Sequence, residues 1–150
     1  MKKPETDLEI LEFAIWKERQ AIRLFRTLAG RISHPDVVSL LEELAAEERT
    51  HIEKLELEIL KTGRTVTPAA EQTDPADILF TGKLELDMTA ADILTLAVEK
   101  EDSSFRLYVS LIPQIQDPAA REVLIALAEQ EVRHKLLFES QRQKLMTGTD

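Results

Sequence analysis

The chain has 150 residues, enough for one domain with a buried core, and its 43% apolar and 31% charged content suits a folded helical protein better than a disordered one. A net charge of −9 disfavours nucleic acid and anionic membranes as partners, because binding phosphate needs a basic surface. The absence of cysteine excludes disulfides, Cys-ligated zinc, iron–sulfur clusters and a thiol nucleophile, so any metal must be held by Glu, Asp or His.

The N-terminal stretch Met-Lys-Lys-Pro-Glu-Thr-Asp is polar and is followed by no apolar signal core. No apolar run approaches the roughly 18 residues that a membrane span needs. The expectation is a soluble, cytoplasmic protein with no membrane partner. A first helix is predicted from about Thr6 to Ala29, where Gly30 marks a stop. Trp16 lies off its core stripe and is expected at a crossover or subunit contact. A second helix opens near Pro35 and runs to about Thr62, before Gly63. His34 precedes its proline at a turn and reads as a surface or capping residue rather than a ligand.

The segment from Gly63 to Met88 contains Thr67-Pro68, Asp74-Pro75 and Gly82, so it is not a continuous helix. Its Ile78-Leu79-Phe80 is expected to pin it to the rest of the fold. A third helix starts after Thr89 and ends before Pro113. A fourth opens at Asp117-Pro118 and runs to about Met146. Proline at the first helical position loses no hydrogen bond, and Asp117 suits the cap before it. Short links join helices 1 and 2 and helices 3 and 4, which makes two antiparallel hairpins. The predicted fold is therefore all-α: a ferritin-like four-helix bundle of two hairpins joined by a long crossover at about residues 63–88.

The two halves repeat. Residues 6–61 align on 89–144 without a gap, an offset of 83, and roughly a third of the pairs are identical. Two copies suit a single domain with approximate two-fold symmetry. Within the repeat, Glu18, Glu48 and His51 recur as Glu101, Glu131 and His134. Four carboxylates and two imidazoles from two similar halves are the ligand set of a two-iron site in a four-helix bundle.

Helical spacing places all six on the core. One stripe of helix 1 reads Leu11, Ala14, Glu18, Ala21, Phe25, Leu28, Ile32, and that of helix 3 reads Leu94, Ala97, Glu101, Ser104, Tyr108, Leu111, Ile115. Helix 2 gives Val37, Leu41, Leu44, Glu48, His51, Leu55, and helix 4 gives Ala120, Leu124, Leu127, Glu131, His134, Phe138. An unpaired buried carboxylate costs several kcal/mol, so four at one depth need compensating protons or cations. Two divalent ions match four carboxylates and two neutral imidazoles. A metal-free structural bundle that keeps the motifs only as an echo of duplication is the opposite reading.

The stretches Glu18-Arg-Gln-Ala-Ile-Arg-Leu-Phe25, Glu48-Arg-Thr-His51, Glu101-Asp-Ser-Ser-Phe-Arg-Leu-Tyr108 and Glu131-Val-Arg-His134 resemble the rubrerythrin-like branch of the ferritin-like di-iron carboxylate superfamily. The resemblance covers nearly the whole chain. It implies two iron ions per chain, with manganese or zinc as substitutes. It implies Glu18 and Glu101 as terminal carboxylates, Glu48 and Glu131 as bridges, and His51 and His134 each on one iron. It also implies a homodimer or higher homo-oligomer. The implied function is a non-haem di-iron oxidoreductase whose Fe(II) pair reacts with O2 or H2O2. The alternative is a ferroxidase that handles iron in storage or detoxification.

Two departures qualify the resemblance. Rubrerythrins carry a further Glu one turn after the helix-3 ligand, where this chain has Ser104. Full-length rubrerythrins also carry a Cys-ligated rubredoxin domain, and this chain has no cysteine. The electrons must come from a separate donor or from Fe(II) itself. Tyr108, roughly 10 Å beyond Glu101 along the helix axis, is a candidate catalytic residue. Its hydroxyl is placed to bond a bridging carboxylate across the bundle or to act as a local redox group. Phe25 holds the matching place in the first half, so aromatic packing is the plainer alternative.

Overall fold

Thr6 and Thr89, 83 residues apart, start their helices in the same way. The Thr6 hydroxyl accepts from the Glu9 amide at 3.1 Å while the Glu9 carboxylate accepts from the Thr6 amide at 3.1 Å. Thr89 and Asp92 repeat this reciprocal cap, again at 3.1 Å both ways. The structure, a computed structural model, describes residues 3–66 and 88–148. Its helices are α1 (Asp7–Ala29), α2 (Pro35–Lys61), α3 (Ala90–Leu111) and α4 (Pro118–Thr147). Most of the expected crossover, including Ile78-Leu79-Phe80, lies outside the described residues.

Pro35 and Pro118 occupy the first positions of α2 and α4, and the Asp117 carboxylate caps α4 by accepting from the Ala120 amide at 3.1 Å. His34 stands at the cap position of α2, but its side chain makes no capping bond. It is half-buried, and it holds the expected cap position through its extended backbone. At Pro113, which has no amide hydrogen to extend α3, the chain tightens into a 3-10 turn, Ile112–Gln114. Gly148 ends α4 at φ 71°, a conformation that favours glycine.

α1 packs along α2 and α3 along α4, and the hairpins meet through α2 with α4 and α1 with α3. The Asp7 carboxylate accepts from the amides of Gln116 at 2.8 Å and Asp117 at 2.9 Å, so α1 and α4 begin at the same end. α2 and α3, antiparallel to their hairpin partners, therefore run parallel. The end of α2 and the start of α3 lie at opposite ends of the bundle, which is the ferritin-like order and not a simple up-down one. The seam residues predicted on all four helices are buried, apart from the half-buried Ile32 in the first hairpin turn. Phe25 and Phe138 meet in the middle of this core with ring centroids 5.3 Å apart. Trp16 is also buried, beside Phe13 at 5.8 Å and under the Lys17 ammonium at 5.9 Å. Among the described residues no helix is long and apolar enough to cross a membrane.

Candidate metal centre

Residues three apart on a helix share a face, so α2 presents Glu48 with His51 and α4 presents Glu131 with His134. α1 and α3 each add one carboxylate at the same depth, Glu18 and Glu101. The structure brings all six together, each at most 3% exposed. His51 Nδ1 lies 3.2 Å from Glu48, 3.6 Å from Glu18 and 3.6 Å from Glu131. His134 Nδ1 lies 3.0 Å from the other oxygen of Glu48 and 3.7 Å from Glu101.

The atoms fall into two overlapping sets. One is Glu18, Glu48, His51 and Glu131; the other is Glu48, Glu101, Glu131 and His134. Within each set one candidate ligand atom per residue lies within 4.8 Å of the others. Glu48 and Glu131 belong to both sets, while Glu18 with His51 and Glu101 with His134 each belong to one.

Such a cluster cannot hold four bare charges. Burial raises the Glu48 carboxyl, but the imidazoles of His134 and His51 outweigh burial and hold it at about 2. Burial, and then the charge of Glu48, push Glu131 up to about 7. Burial and the charges of Glu131 and Glu48 push Glu101 well above the usual carboxylate range. Burial favours a neutral His51, yet the neighbouring carboxylates of Glu131 and Glu48 win and raise it to about 9. Protons thus do part of the neutralising that cations would do.

The chemistry of the donor set fits two hard-to-borderline divalent ions such as Fe(II) or Mn(II). So do the loose ends. Among the described residues, Glu18 Oε2, both oxygens of Glu101 and Glu131 Oε1 are buried in the cluster without a hydrogen-bond partner. Native interiors seldom leave buried polar atoms unmatched, and four in one cluster need an ion or protons to satisfy them.

Tyr108 is almost fully buried, and its hydroxyl donates to Glu18. The acceptor therefore lies in only one of the two sets, and it is not one of the shared carboxylates that the sequence reading favoured. Helix side chains lean toward their own N-terminus. α1 and α3 are antiparallel, so Tyr108 and Glu18 lean toward each other across the bundle. Burial, and then the charges of Glu131, Glu48 and Glu101, push the Tyr108 hydroxyl well above the ordinary tyrosine range, so it stays a proton donor. Ser104 is buried one turn after Glu101, where it adds a small hydroxyl and no charge.

The sequence reading missed two features. Glu47 lies 3.6 Å from His134 Nε2 and is held by Arg133 at 2.8 Å. It had no periodic signal, because the matching place in the repeat is Gln130. Lys17 and Lys100 are both buried, at 6% and 1% exposure, directly before Glu18 and Glu101. Their identity across the repeat was a visible signal.

No curated protein matches the chain. Among solved structures it is similar to a ferritin-like diiron-carboxylate protein from Thermotoga maritima, with a TM-score of 0.70, 20% identity and coverage of 96% of this chain and 99% of that one. That likeness supports the ferritin-like architecture. The sequence profile of the rubrerythrin family matches residues 9–142. The chain belongs to the rubrerythrin family.

Proposed function

We propose that the protein is a non-haem di-iron oxidoreductase of the rubrerythrin type. The observation that carries this reading is the sharing of Glu48 and Glu131 between two otherwise separate sets of candidate ligands. A carboxylate has two oxygens, and Glu48 already turns one toward His51 and the other toward His134. Glu48 and Glu131 would therefore bridge, Glu18 and His51 would hold one iron, and Glu101 and His134 the other. The iron pair, when bound, supplies one electron per ion to O2 or H2O2.

The residues around it set the conditions. Leu44, Leu55, Leu127 and Phe138, one turn above or below the ligands on α2 and α4, are essentially fully buried and keep bulk water off the centre. In that dry setting each charge acts more strongly than it would in water. Tyr108 orients Glu18 and keeps a proton on its hydroxyl. The chain has no cysteine, so the electrons would come from a separate donor or from Fe(II) itself. The Thermotoga maritima protein, described as diiron-carboxylate, is consistent with the same metal choice here.

One observation favours a second reading. Ser104 stands where rubrerythrins resemble this chain but carry a further carboxylate, and it is buried and uncharged. That suits a ferroxidase, in which Fe(II) is itself the reductant. Anaerobic Fe(II) loading followed by metal analysis and Mössbauer spectroscopy tests both. Two coupled irons per chain support the redox centre, and absence of bound iron overturns it. Rapid oxidation of Fe(II) well beyond two per chain by O2 would select the ferroxidase; turnover of H2O2 only with an added reductant would select the peroxidase type.

A further inference from the structure

The repeat makes the centre look two-fold symmetric, but two neighbours break the symmetry, and both act in the same direction. The first is Tyr108. Its hydroxyl donates to Glu18. At the matching place in the first half stands Phe25, which packs against Phe138 and has no hydroxyl to offer. Among the described residues, both oxygens of Glu101 are without a hydrogen-bond partner. A hydrogen bond donated to a carboxylate draws electron density from it and occupies a lone pair. Glu18 is therefore the poorer metal donor of the two, and Glu101 the richer.

The second is Glu47. Its carboxylate lies 3.6 Å behind His134 Nε2, on the side away from Nδ1, which faces the cluster. Arg133 holds Glu47 at 2.8 Å. In the other half the matching residues are Gln130 and Thr50, so neither partner of this ion pair recurs behind His51. A carboxylate on the outer side of a metal-binding imidazole helps hold the ring in place, and loss of such an outer partner typically costs about 10- to 100-fold in metal affinity. The ring of His134 is therefore the better held of the two.

We propose that Glu47 and Tyr108 act as positioning residues that make the two metal positions unequal, so that the Glu101–His134 position fills first and the Glu18–His51 position second. This rests on the two-metal reading above. The order follows from the neighbours, not from the ligands, which are identical in the two halves. A protein built this way holds one ion tightly and presents the other as the exchangeable one. The exchangeable ion sits beside Tyr108, the one hydroxyl that touches a ligand carboxylate among the described residues.

The test is a stepwise anaerobic titration of the chelator-treated, full-length protein with Mn(II), followed by electron paramagnetic resonance. Wild type is expected to show an isolated-ion signal that grows through the first equivalent and falls as the coupled pair forms in the second, with the two affinities separated by about 10-fold or more. Glu47→Gln and Tyr108→Phe, both nearly isosteric, should each narrow the gap, and the double variant should fill pairwise. Glu18→Gln should keep the tight step and Glu101→Gln should lose it. Gln130→Glu with Thr50→Arg, which copies the ion pair into the other half, should tighten the second step. Two ions entering wild type in one step, or a tight step that survives Glu101→Gln and is lost in Glu18→Gln, would overturn the order alone. Absence of Mn(II) binding in a folded wild-type protein would overturn the two-metal reading and the order with it.

Discussion

The imidazoles of His51 and His134 lie parallel across the bundle, their centroids 5.7 Å apart and their planes within 10°. Each turns Nδ1 toward a different oxygen of Glu48, at 3.2 and 3.0 Å. One carboxylate thus links residues from α2 and α4, and its counterpart Glu131 lies 3.6 Å from His51. If Glu48 and Glu131 are shared ligands, removing either one should do more than remove one bond. Glu48→Ala or Glu131→Ala is expected to reduce the bound metal from two ions to one or none and to abolish magnetic coupling. Metal analysis with Mössbauer spectroscopy measures this, and two coupled irons in either variant would contradict the shared role.

Metal should stabilise the fold strongly. The six ligands are buried, so their compensation exists only in the folded protein, and an ion present at about 1,000 times its dissociation constant adds roughly 4 kcal/mol per site. For a domain of this size that corresponds to a rise in Tm on the order of 10 °C. Calorimetric melts before and after chelation report it. An unchanged Tm would count against metal binding at these residues.

The metal-free protein should lose stability as pH rises. Glu131 titrates at about 7 and Glu101 well above the ordinary 4.5, so both bind protons more tightly folded than unfolded. His51, at about 9 against 6.5, does the same. The stability these groups contribute is complete below their unfolded values and is lost as pH rises through their folded values. Glu48, at about 2, works in the opposite sense: its contribution is present above 4.5 and is lost as pH falls through 2. Between about pH 5 and pH 9 the three raised groups dominate, and the metal-free protein should lose a few kcal/mol. Metal displaces the same protons, so its affinity should climb over this window. Melts with and without metal at several pH values should therefore diverge upward with pH. A metal-free Tm that rises toward pH 9 would contradict the assignment.

Ser104→Glu places a carboxylate one turn after Glu101 on the same buried stripe. It is expected to keep both ions and to raise H2O2 turnover with an added reductant. Steady-state assays alongside metal analysis check this. Loss of metal in the variant would mean that the space beside Glu101 cannot accept a carboxylate.

The core can be probed away from the ligand atoms. Phe138 is fully buried against Phe25, so Phe138→Ala should cost about 3–5 kcal/mol of folding stability. Urea denaturation of the metal-free protein measures it.

Much of this was legible in the chain alone. The offset of 83 relates Glu18, Glu48 and His51 to Glu101, Glu131 and His134, and it also relates the capping residues Thr6 and Thr89 and the helix-opening prolines 35 and 118. These features are local. A cap is satisfied within four residues, and a face is set by 3.6 residues per turn. Periodicity therefore placed the seam residues in the core and set their depth.

It did not determine which atoms meet there. Tyr108 finds Glu18 because antiparallel helices make their side chains lean toward each other. Glu47 reaches His134 from a neighbouring helix, and among the described residues Glu48 alone bonds both imidazoles. Partners 86 and 90 residues apart are chosen by how the hairpins dock, and proton affinities depend on the resulting distances. The sequence by itself determined the repeat, the four seams and the six residues on them. Only the tertiary structure decided that Tyr108 meets Glu18 and that Glu47 meets His134, because both depend on contacts between helices that local periodicity does not encode.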